Sequence, residues 1–288
     1  MKNLPLRWIF IACIICFGSL CHAQNVLQIQ TQSGMVPVTH EGLQAVLWMQ
    51  TSAEYHVLCS MVFNQAKKAL DATLADKKWT ACLEQTKDFS HLPPAVIMDI
   101  DETVLDNSPF QGEVAKKDLR NDTNLWTEWV RLQRCEGIPG ALDFIKYAQS
   151  KEVTVFFITN RDHSDQEATR KNLTQLGVNV PETPETVLTK KDNDSDKSLR
   201  RATVAACHRI LLLIGDDLGD FVWANDTPAE RIKISKQHSD KWGTGWFLLP
   251  NPVYGSWDGS LHNFDYKLKR TEILNKKWEH LKGFKSQR

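Results

Sequence analysis

The stretch AVIMDIDET, residues 95–103, decides the fold of this 288-residue chain. Its four leading apolar residues show no polar alternation, which is typical of a strand buried on both faces of a parallel sheet. Two carboxylates, Asp99 and Asp101, follow this strand directly. Open parallel sheets place their sites beyond the carboxyl ends of their strands, so the stretch predicts a strand and the start of a site.

Two more apolar runs, at 153–158 and 210–214, resemble the first. The segments between the runs have helical periodicity, and a Ser164-x-x-Glu167 capping box is expected to open one of these helices. The predicted helices cover residues 140–150, 164–176 and 195–207. Alternating strands and helices predict an α/β fold with a doubly wound parallel sheet.

The region before the first strand has a different pattern. Residues 41–75 contain no proline and carry apolar side chains at helical spacing. We therefore predict an appended helical lobe. The predicted organisation is a signal peptide at 1–23, the N-terminal helical region of the lobe at 24–92, and the α/β core at 93–288. A helical insertion is expected around 110–137.

The overall composition restricts the classes of partner. The chain is 42% hydrophobic, which excludes a disordered or fibrous protein. Lys and Arg number 35, and Asp and Glu also number 35. This balance provides no long-range field to attract a nucleic-acid polymer, so we expect a small-molecule partner bound by local contacts.

The N-terminus has the pattern of a secretion signal. Lys2 and Arg7 precede an apolar run at 8–17, and Ala23 gives a small residue before a cut at Gln24. The run is too short to span a bilayer as a retained helix, so we expect no stable membrane span and a periplasmic or secreted protein. The alternative is a lipid anchor on Cys21, against which the large Leu20 argues.

Four cysteines remain after signal cleavage: Cys59, Cys82, Cys135 and Cys207. In an oxidising compartment they could form disulfides by any of three pairings, or they could stay as buried free thiols. They form no Cys-x-x-Cys element, which argues against a structural zinc site. The sequence does not choose between disulfides and thiols.

Polar residues follow all three predicted strands. Asp99 and Asp101 follow the first, Thr159-Asn160-Arg161 the second, and Gly215-Asp216-Asp217-Leu218-Gly219-Asp220 the third. A lysine-rich segment at 190–197 adds positive charge. Carboxylates from neighbouring strands form the oxygen site that Mg²⁺ prefers, and a carboxylate can attack phosphorus in line to form an aspartyl-phosphate. The set therefore predicts phosphoryl transfer.

The residues at the strand ends resemble the signature of the haloacid dehalogenase superfamily of phosphohydrolases, through Asp99-x-Asp101-x-Thr103, Thr159, a lysine, and Gly215-Asp216 with Asp220. A narrower resemblance to the secreted class C acid phosphatases, which include bacterial lipoprotein 5′-nucleotidases, covers almost the whole mature chain. It rests on residues 46–55, 99–108, 126–129, 138–141, 159–161, 215–218 and 250–255. The resemblance implies a haloacid dehalogenase-like core with an added helical lobe, Mg²⁺ dependence and phosphomonoester substrates, including nucleoside monophosphates.

The resemblance also implies residue roles. Asp99 would be the nucleophile and Asp101 the general acid and base. Thr159, Asn160 and Lys197 would bind the phosphate, although Lys190 or Lys191 could replace Lys197. Asp99, the backbone carbonyl of Asp101, and Asp216 would hold the metal, and Asp220 would orient its waters.

Aromatic residues in predicted loops are candidates for stacking on a nucleobase. These substrate-binding candidates are Trp126, Trp129, Tyr254 and Trp257, and ordinary packing is the alternative for each. Polar residues near the site are expected to shape its entrance or support its reactive groups, namely Glu102, Asp106, Asn107 and Arg161.

Two other functions use the same sequence features. A storage or ligand-binding protein could retain this fold without turnover, although such a role would not require Asp99. A phosphotransferase would pass the phosphoryl group to another alcohol with the same residues. The sequence leaves the physiological substrate, the pH optimum and the oligomeric state open.

Overall fold

The computed structural model describes residues 28–31, 34–37, 40–120, 122–191 and 194–284. The predicted signal peptide and Cys21 lie outside the described residues. The chain divides into two units, residues 1–39 and 40–288. In the first unit, β1 (Gln28–Thr31) pairs antiparallel with β2 (Gly34–Pro37).

The second unit contains a parallel sheet of five strands in the order β7-β6-β3-β8-β9. The strands are β3 (Pro94–Met98), β6 (Thr154–Asp162), β7 (Val187–Lys190), β8 (Arg209–Gly215) and β9 (Trp246–Leu248). The first predicted strand, β3, is the central one, and all of β8 is buried. The predicted α/β core with a parallel sheet is therefore confirmed.

Ten helices accompany the strands in the described part of the chain. They are α1 (Leu43–Thr51), α2 (Ala53–Ala75), α3 (Ser108–Lys116), α4 (Thr123–Leu132), α5 (Ala141–Ser150), α6 (Gln166–Gln175), α7 (Ser198–Ala205), α8 (Pro228–Gln237), α9 (Ser256–Ser260) and α10 (Arg270–His280). The helices α3 and α4 occupy the region of the predicted insertion, between the paired short strands β4 (Leu105–Asp106) and β5 (Glu136–Gly137).

The start of α6 differs from the prediction. A 3-10 turn, His163–Asp165, precedes the helix, and Asp165 is the residue at its N-terminal boundary. No side-chain hydrogen bond caps this boundary, so the predicted capping box is wrong. Ser164 lies within this turn rather than at the helix boundary, and the four-residue motif does not distinguish the turn from the start of the helix.

Helices pack on both faces of the sheet. Val96 and Met98 share one hydrophobic cluster with Phe63 and Leu70 of α2 and with Phe144 of α5. The alternate strand residues face the other way, and their cluster includes residues of α7. The N-terminal helical addition therefore packs directly on the sheet that carries the site residues.

Buried Arg209, at the start of β8, holds the carboxyl end of α2. Its Nη1 donates to the carbonyls of Thr73 at 2.9 Å and Asp76 at 2.7 Å, and its Nη2 donates to Leu74 at 3.1 Å. The last carbonyls of a helix have no partners within the helix and carry partial negative charge, so a guanidinium satisfies them. This contact fixes α2 to the central part of the sheet.

The four cysteines beyond the predicted signal peptide are free thiols, so none of the three possible disulfide pairings is formed. Cys59, Cys82 and Cys135 are buried, and Cys207 is exposed. Among the described helices, none combines the length and the apolar character needed to cross a bilayer.

Candidate active site

The two carboxylates at the end of β3, Asp99 and Asp101, face different neighbouring strands. The backbone N–H of Asp99 donates to the carbonyl of Ile214 at 2.9 Å, which continues the pairing of β3 with β8. The chain then turns sharply, with Glu102 at a φ of 57° and Leu105 N–H donating to the Ile100 carbonyl at 2.8 Å. As a result, Asp99 faces the end of β8, while Asp101 faces residues of β6.

An acidic cluster forms where β3 and β8 end. Asp99, Asp216 and Asp220 each present a carboxylate oxygen, and these oxygens lie within 4.8 Å of one another. Gly215 makes this possible, because a Cβ at that position would overlap the Asp220 carboxylate. We call these three residues the acidic cluster.

Lys197 is the lysine that enters the acidic cluster. Its buried Nζ donates to Asp220 Oδ1 at 2.6 Å and also to Asp99. Of the other two candidates, Lys190 pairs with Asp162 at 3.0 Å and Lys191 is exposed. The structure therefore brings together Asp99, Lys197 and two of the predicted metal-binding carboxylates.

The electrostatics of the acidic cluster favour a further positive charge. Burial raises the pKa of Asp99 to about 7, although the Lys197 ammonium opposes this rise. Burial and the neighbouring carboxylates also raise the pKa of Asp216 well above its usual range. Burial lowers the pKa of Lys197, but its two carboxylate partners more than offset this and raise it. The three carboxylates outnumber the single ammonium of Lys197, and carboxylate oxygens are the hard ligands that Mg²⁺ prefers. The acidic cluster therefore fits Mg²⁺.

Asp101 lies in a separate hydrogen-bond network. Its Oδ1 accepts from Arg161 Nη2 at 2.8 Å, from Arg161 Nε at 3.0 Å and from Asn107 Nδ2 at 2.9 Å. Its Oδ2 accepts from Thr159 Oγ1 at 3.2 Å. The Arg161 guanidinium is buried and also donates to Thr169 Oγ1 at 3.0 Å. Arg161 and Asn107 thus support Asp101, one of the two roles expected of them.

Thr159 and Asn160 lie near the carboxyl end of β6, Thr159 buried and Asn160 exposed, and both contact Arg200 of α7. Arg200 donates to the carbonyl of Thr159 at 2.6 Å and to Asn160 Oδ1 at 2.7 Å. Asn160 Nδ2 donates to the Ser195 carbonyl at 3.2 Å. The Asn160 side chain therefore connects the carboxyl end of β6 to the segment that carries Lys197, while the Thr159 hydroxyl contacts Asp101.

Three of the predicted base-stacking residues contact Arg161 or residues of the turn that follows β3. Trp129 Nε1 donates to Asn107 Oδ1 at 2.8 Å, and the Tyr254 hydroxyl bonds to the buried Glu102 carboxylate. The Trp126 ring lies 5.5 Å from the Arg161 guanidinium carbon. Trp257 is the most open of the four, at 40% exposure. Three of these aromatic residues therefore adjoin residues that hold Asp101 or its loop.

A sequence model of the HAD superfamily, subfamily IIIB (Acid phosphatase), matches residues 19–257. The chain belongs to this acid phosphatase family. It is similar to the class C acid phosphatase from Bacillus anthracis, with 33% identity, a TM-score of 0.77, and coverage of 85% of this chain and 98% of that chain. A structure of the Bacillus anthracis class C acid phosphatase with tungstate bound gives 32% identity, a TM-score of 0.77, and coverage of 86% and 99%. The protein is thus a phosphoric monoester hydrolase.

Two residues of this acid phosphatase contact the site although sequence reasoning gave them no role. Arg200 orients Asn160, and Asn251 donates through Nδ2 to Asp216 Oδ2 at 2.8 Å. The signal for Arg200 was its position three residues after Lys197, which puts the two on one helical face. Asn251 carried no such signal, because it lies 35 residues after Asp216 in the sequence. The two meet only because the chain that leaves β9 returns beside the end of β8.

Proposed function

We propose that this acid phosphatase is an exported, Mg²⁺-dependent enzyme that hydrolyses phosphomonoesters through an aspartyl-phosphate on Asp99, with nucleoside monophosphates as its preferred substrates. One observation carries the proposal: buried Asp99 bonds to Lys197 within the acidic cluster. This arrangement puts a nucleophile beside a cation and beside a set of metal-binding oxygens. The likeness to a phosphatase structure with tungstate bound supports it, because tungstate is a tetrahedral oxyanion like phosphate.

The reaction has two displacements. A carboxylate oxygen of Asp99 attacks phosphorus in line, and the bond from phosphorus to the ester oxygen breaks. Asp101 enters this step protonated and gives that proton to the departing alcohol oxygen, which leaves the carboxylate that pairs with Arg161. Asp101 then takes a proton from water as that water attacks the aspartyl-phosphate, and the bond from phosphorus to Asp99 breaks to release phosphate. Thr159, Asn160 and Lys197 hold the phosphate oxygens through both steps.

The metal site uses oxygen donors alone. Asp99, Asp216 and the backbone carbonyl of Asp101 would hold Mg²⁺, and Asp220 would orient its waters from beside Lys197. When bound, the ion neutralises charge on the phosphate oxygens. The raised pKa values of Asp99 and Asp216 support this assignment, because a divalent cation relieves the repulsion between these carboxylates.

The nucleotide preference rests on the aromatic residues near Asp101. Trp126, Trp129 and Tyr254 are each partly exposed, so their rings combine a supporting contact with surface available to a base. Stacking of a base on such a ring contributes about 1–3 kcal/mol in nucleic-acid binders. A small alkyl phosphate would gain nothing from this contact.

The deciding experiment measures release of inorganic phosphate from nucleoside monophosphates, sugar phosphates, alkyl phosphates and aryl phosphates, with Mg²⁺ and with a chelator, across pH. We expect release that depends on Mg²⁺ and favours nucleotides. No turnover with any ester would support a storage or binding role instead. Phosphorylated products formed when an acceptor alcohol is added would identify a phosphotransferase.

Export is tested by the mass of the mature protein. We expect a chain that begins at Gln24 in the soluble periplasmic or secreted fraction. A mass that begins at Cys21 and includes acyl chains would instead identify a lipoprotein anchored to the membrane.

A further inference from the structure

The loop at residues 250–257 contacts both loops that carry acidic site residues. Asn251 Nδ2 donates to Asp216 Oδ2 at 2.8 Å, and the backbone N–H of Ser256 donates to Asp217 Oδ2 at 2.6 Å. The hydroxyl of Tyr254 bonds to the carboxylate that follows Asp101 in the sequence. This stretch, which ends with the first two residues of α9, is here called the 250–257 loop, and it joins the ends of β3 and β8.

Asp216 differs from the other two carboxylates of the acidic cluster. Lys197 contacts Asp99 and Asp220, whereas Asp216 has no ion-pair partner among the described residues. Its two oxygens accept from neutral donors only: Thr103 Oγ1 donates to Oδ1 at 3.1 Å, and Asn251 donates to Oδ2. With two carboxylates beside it that repel it, the direction of the Asp216 side chain depends on these two donors.

The amide of Asn251 is itself fixed. Its Oδ1 accepts the backbone N–H groups of Val253 at 3.0 Å and Tyr254 at 3.3 Å. Because the amide oxygen faces these donors, the amide nitrogen must face Asp216. The side chain is therefore anchored at one end by the loop and presents a donor to the acidic cluster at the other.

We propose that Asn251 is a positioning residue that orients the Asp216 carboxylate for Mg²⁺ without contacting the ion. The proposal rests on the proposed function, in which Asp216 is a metal ligand. Hydrogen bonds to a ligating carboxylate fix its orientation, and losing such a partner typically weakens metal binding by about 10–100-fold. Asn251 thereby gives the 250–257 loop a role in metal affinity.

The test measures Mg²⁺ binding to the purified full chain by isothermal titration calorimetry. In the variant Asn251→Ser, the shorter side chain can still accept a backbone N–H of the loop but does not reach Asp216. We expect its Mg²⁺ dissociation constant to rise by about 10–100-fold. The Mg²⁺ concentration for half-maximal phosphate release should rise by the same factor, while kcat at saturating Mg²⁺ stays close to that of the parent protein.

Ser256→Ala is the matched control, because it removes the contact of Ser256 Oγ with Asp217 from the same loop and leaves the Asp216 contact intact. It should bind Mg²⁺ with unchanged affinity. Unchanged affinity in folded Asn251→Ser overturns the proposal, and so does equal weakening in Ser256→Ala, which would indicate a general loosening of the loop.

A second measurement needs no variant. The side-chain amide signal of Asn251 in the NMR spectrum of the parent protein should shift with the same Mg²⁺ midpoint as the calorimetric titration, and an unmoved signal would overturn the proposal even if Asn251→Ser fails to fold. A parent protein that binds no Mg²⁺ and needs none for turnover would instead remove the metal requirement from the proposed function, and the role of Asn251 with it.

Discussion

Single side chains at the end of β3 determine whether chemistry occurs. We predict that Asp99→Asn abolishes phosphate release, because an amide cannot accept the phosphoryl group as a nucleophile. The measurement is phosphate release by purified protein whose circular dichroism matches that of the parent. The fold should survive, since an amide at this position can still accept a hydrogen bond from Lys197. Parent-like turnover in the folded variant would rule out the aspartyl-phosphate mechanism.

The network around Asp101 makes its substitution affect both catalysis and stability. Asp101→Asn should slow alkyl phosphates by about 10²–10⁴-fold, because their leaving groups need a proton, and should slow aryl phosphates much less. The same change removes the ion-pair partner of buried Arg161, so the melting temperature should also fall. Comparing kcat for the two ester classes with calorimetric melting separates these effects. An equal loss for both classes would contradict a general-acid role.

The helical insertion, α3 and α4, contributes Trp126 and Trp129, whose partners Arg161 and Asn107 hold Asp101. We predict that Trp126→Ala lowers kcat/KM for nucleoside monophosphates by about 5–150-fold, which corresponds to roughly 1–3 kcal/mol of lost stacking, and spares a small alkyl phosphate. Trp126→Phe is the control that keeps a ring over Arg161. A parallel loss for both substrates would show that the ring mainly supports the Arg161–Asp101 pair.

The sequence predicted elements well where a pattern is local. The runs that became β3, β6 and β8 are continuous apolar segments, so burial on both faces is visible in the residues themselves. The edge strands β7 and β9 have only 4 and 3 residues, too few to show a period. The Asp-x-Asp-x-Thr stretch located the site because its residues are close together in the sequence and directly follow β3. The contact of Asn251 with Asp216 depends on tertiary structure, and no sequence period encodes it, whereas the helical spacing of Arg200 from Lys197 is a local signal.

At the scale of the whole molecule, the buried carboxylates link stability to pH and metal. The folded, metal-free protein retains a proton on Asp99 up to about pH 7, whereas the unfolded chain releases it near the ordinary carboxyl pKa of about 3.9. Burial raises the pKa of Asp216 and Glu102 in the same direction. Between these limits the folded state binds more protons than the unfolded state, so the free energy of unfolding falls as pH rises.

We therefore expect the melting temperature in a chelator to decrease from about pH 5 to about pH 7.5. Mg²⁺ should stabilise the protein more at the higher pH, where it no longer competes with protons for the carboxylates. Calorimetric melting at both pH values, with Mg²⁺ and with a chelator, measures both effects. Asp99→Asn should flatten the chelator profile. A melting temperature that rises with pH in the chelator would contradict the assignment.

The contact of Arg209 with α2 also has a consequence for the order in which the chain matures. The carbonyls at the end of α2 lie 133 to 136 residues before the guanidinium that satisfies them. A ribosome therefore synthesises α2 long before it synthesises Arg209. Until then, the carbonyls at the end of α2 lack the hydrogen-bond donor that they have in the folded protein. Because the sheet that receives α2 also needs β8, the native core forms only late in synthesis. Under the export proposed above, that delay would keep the polypeptide unfolded while the translocation machinery engages it.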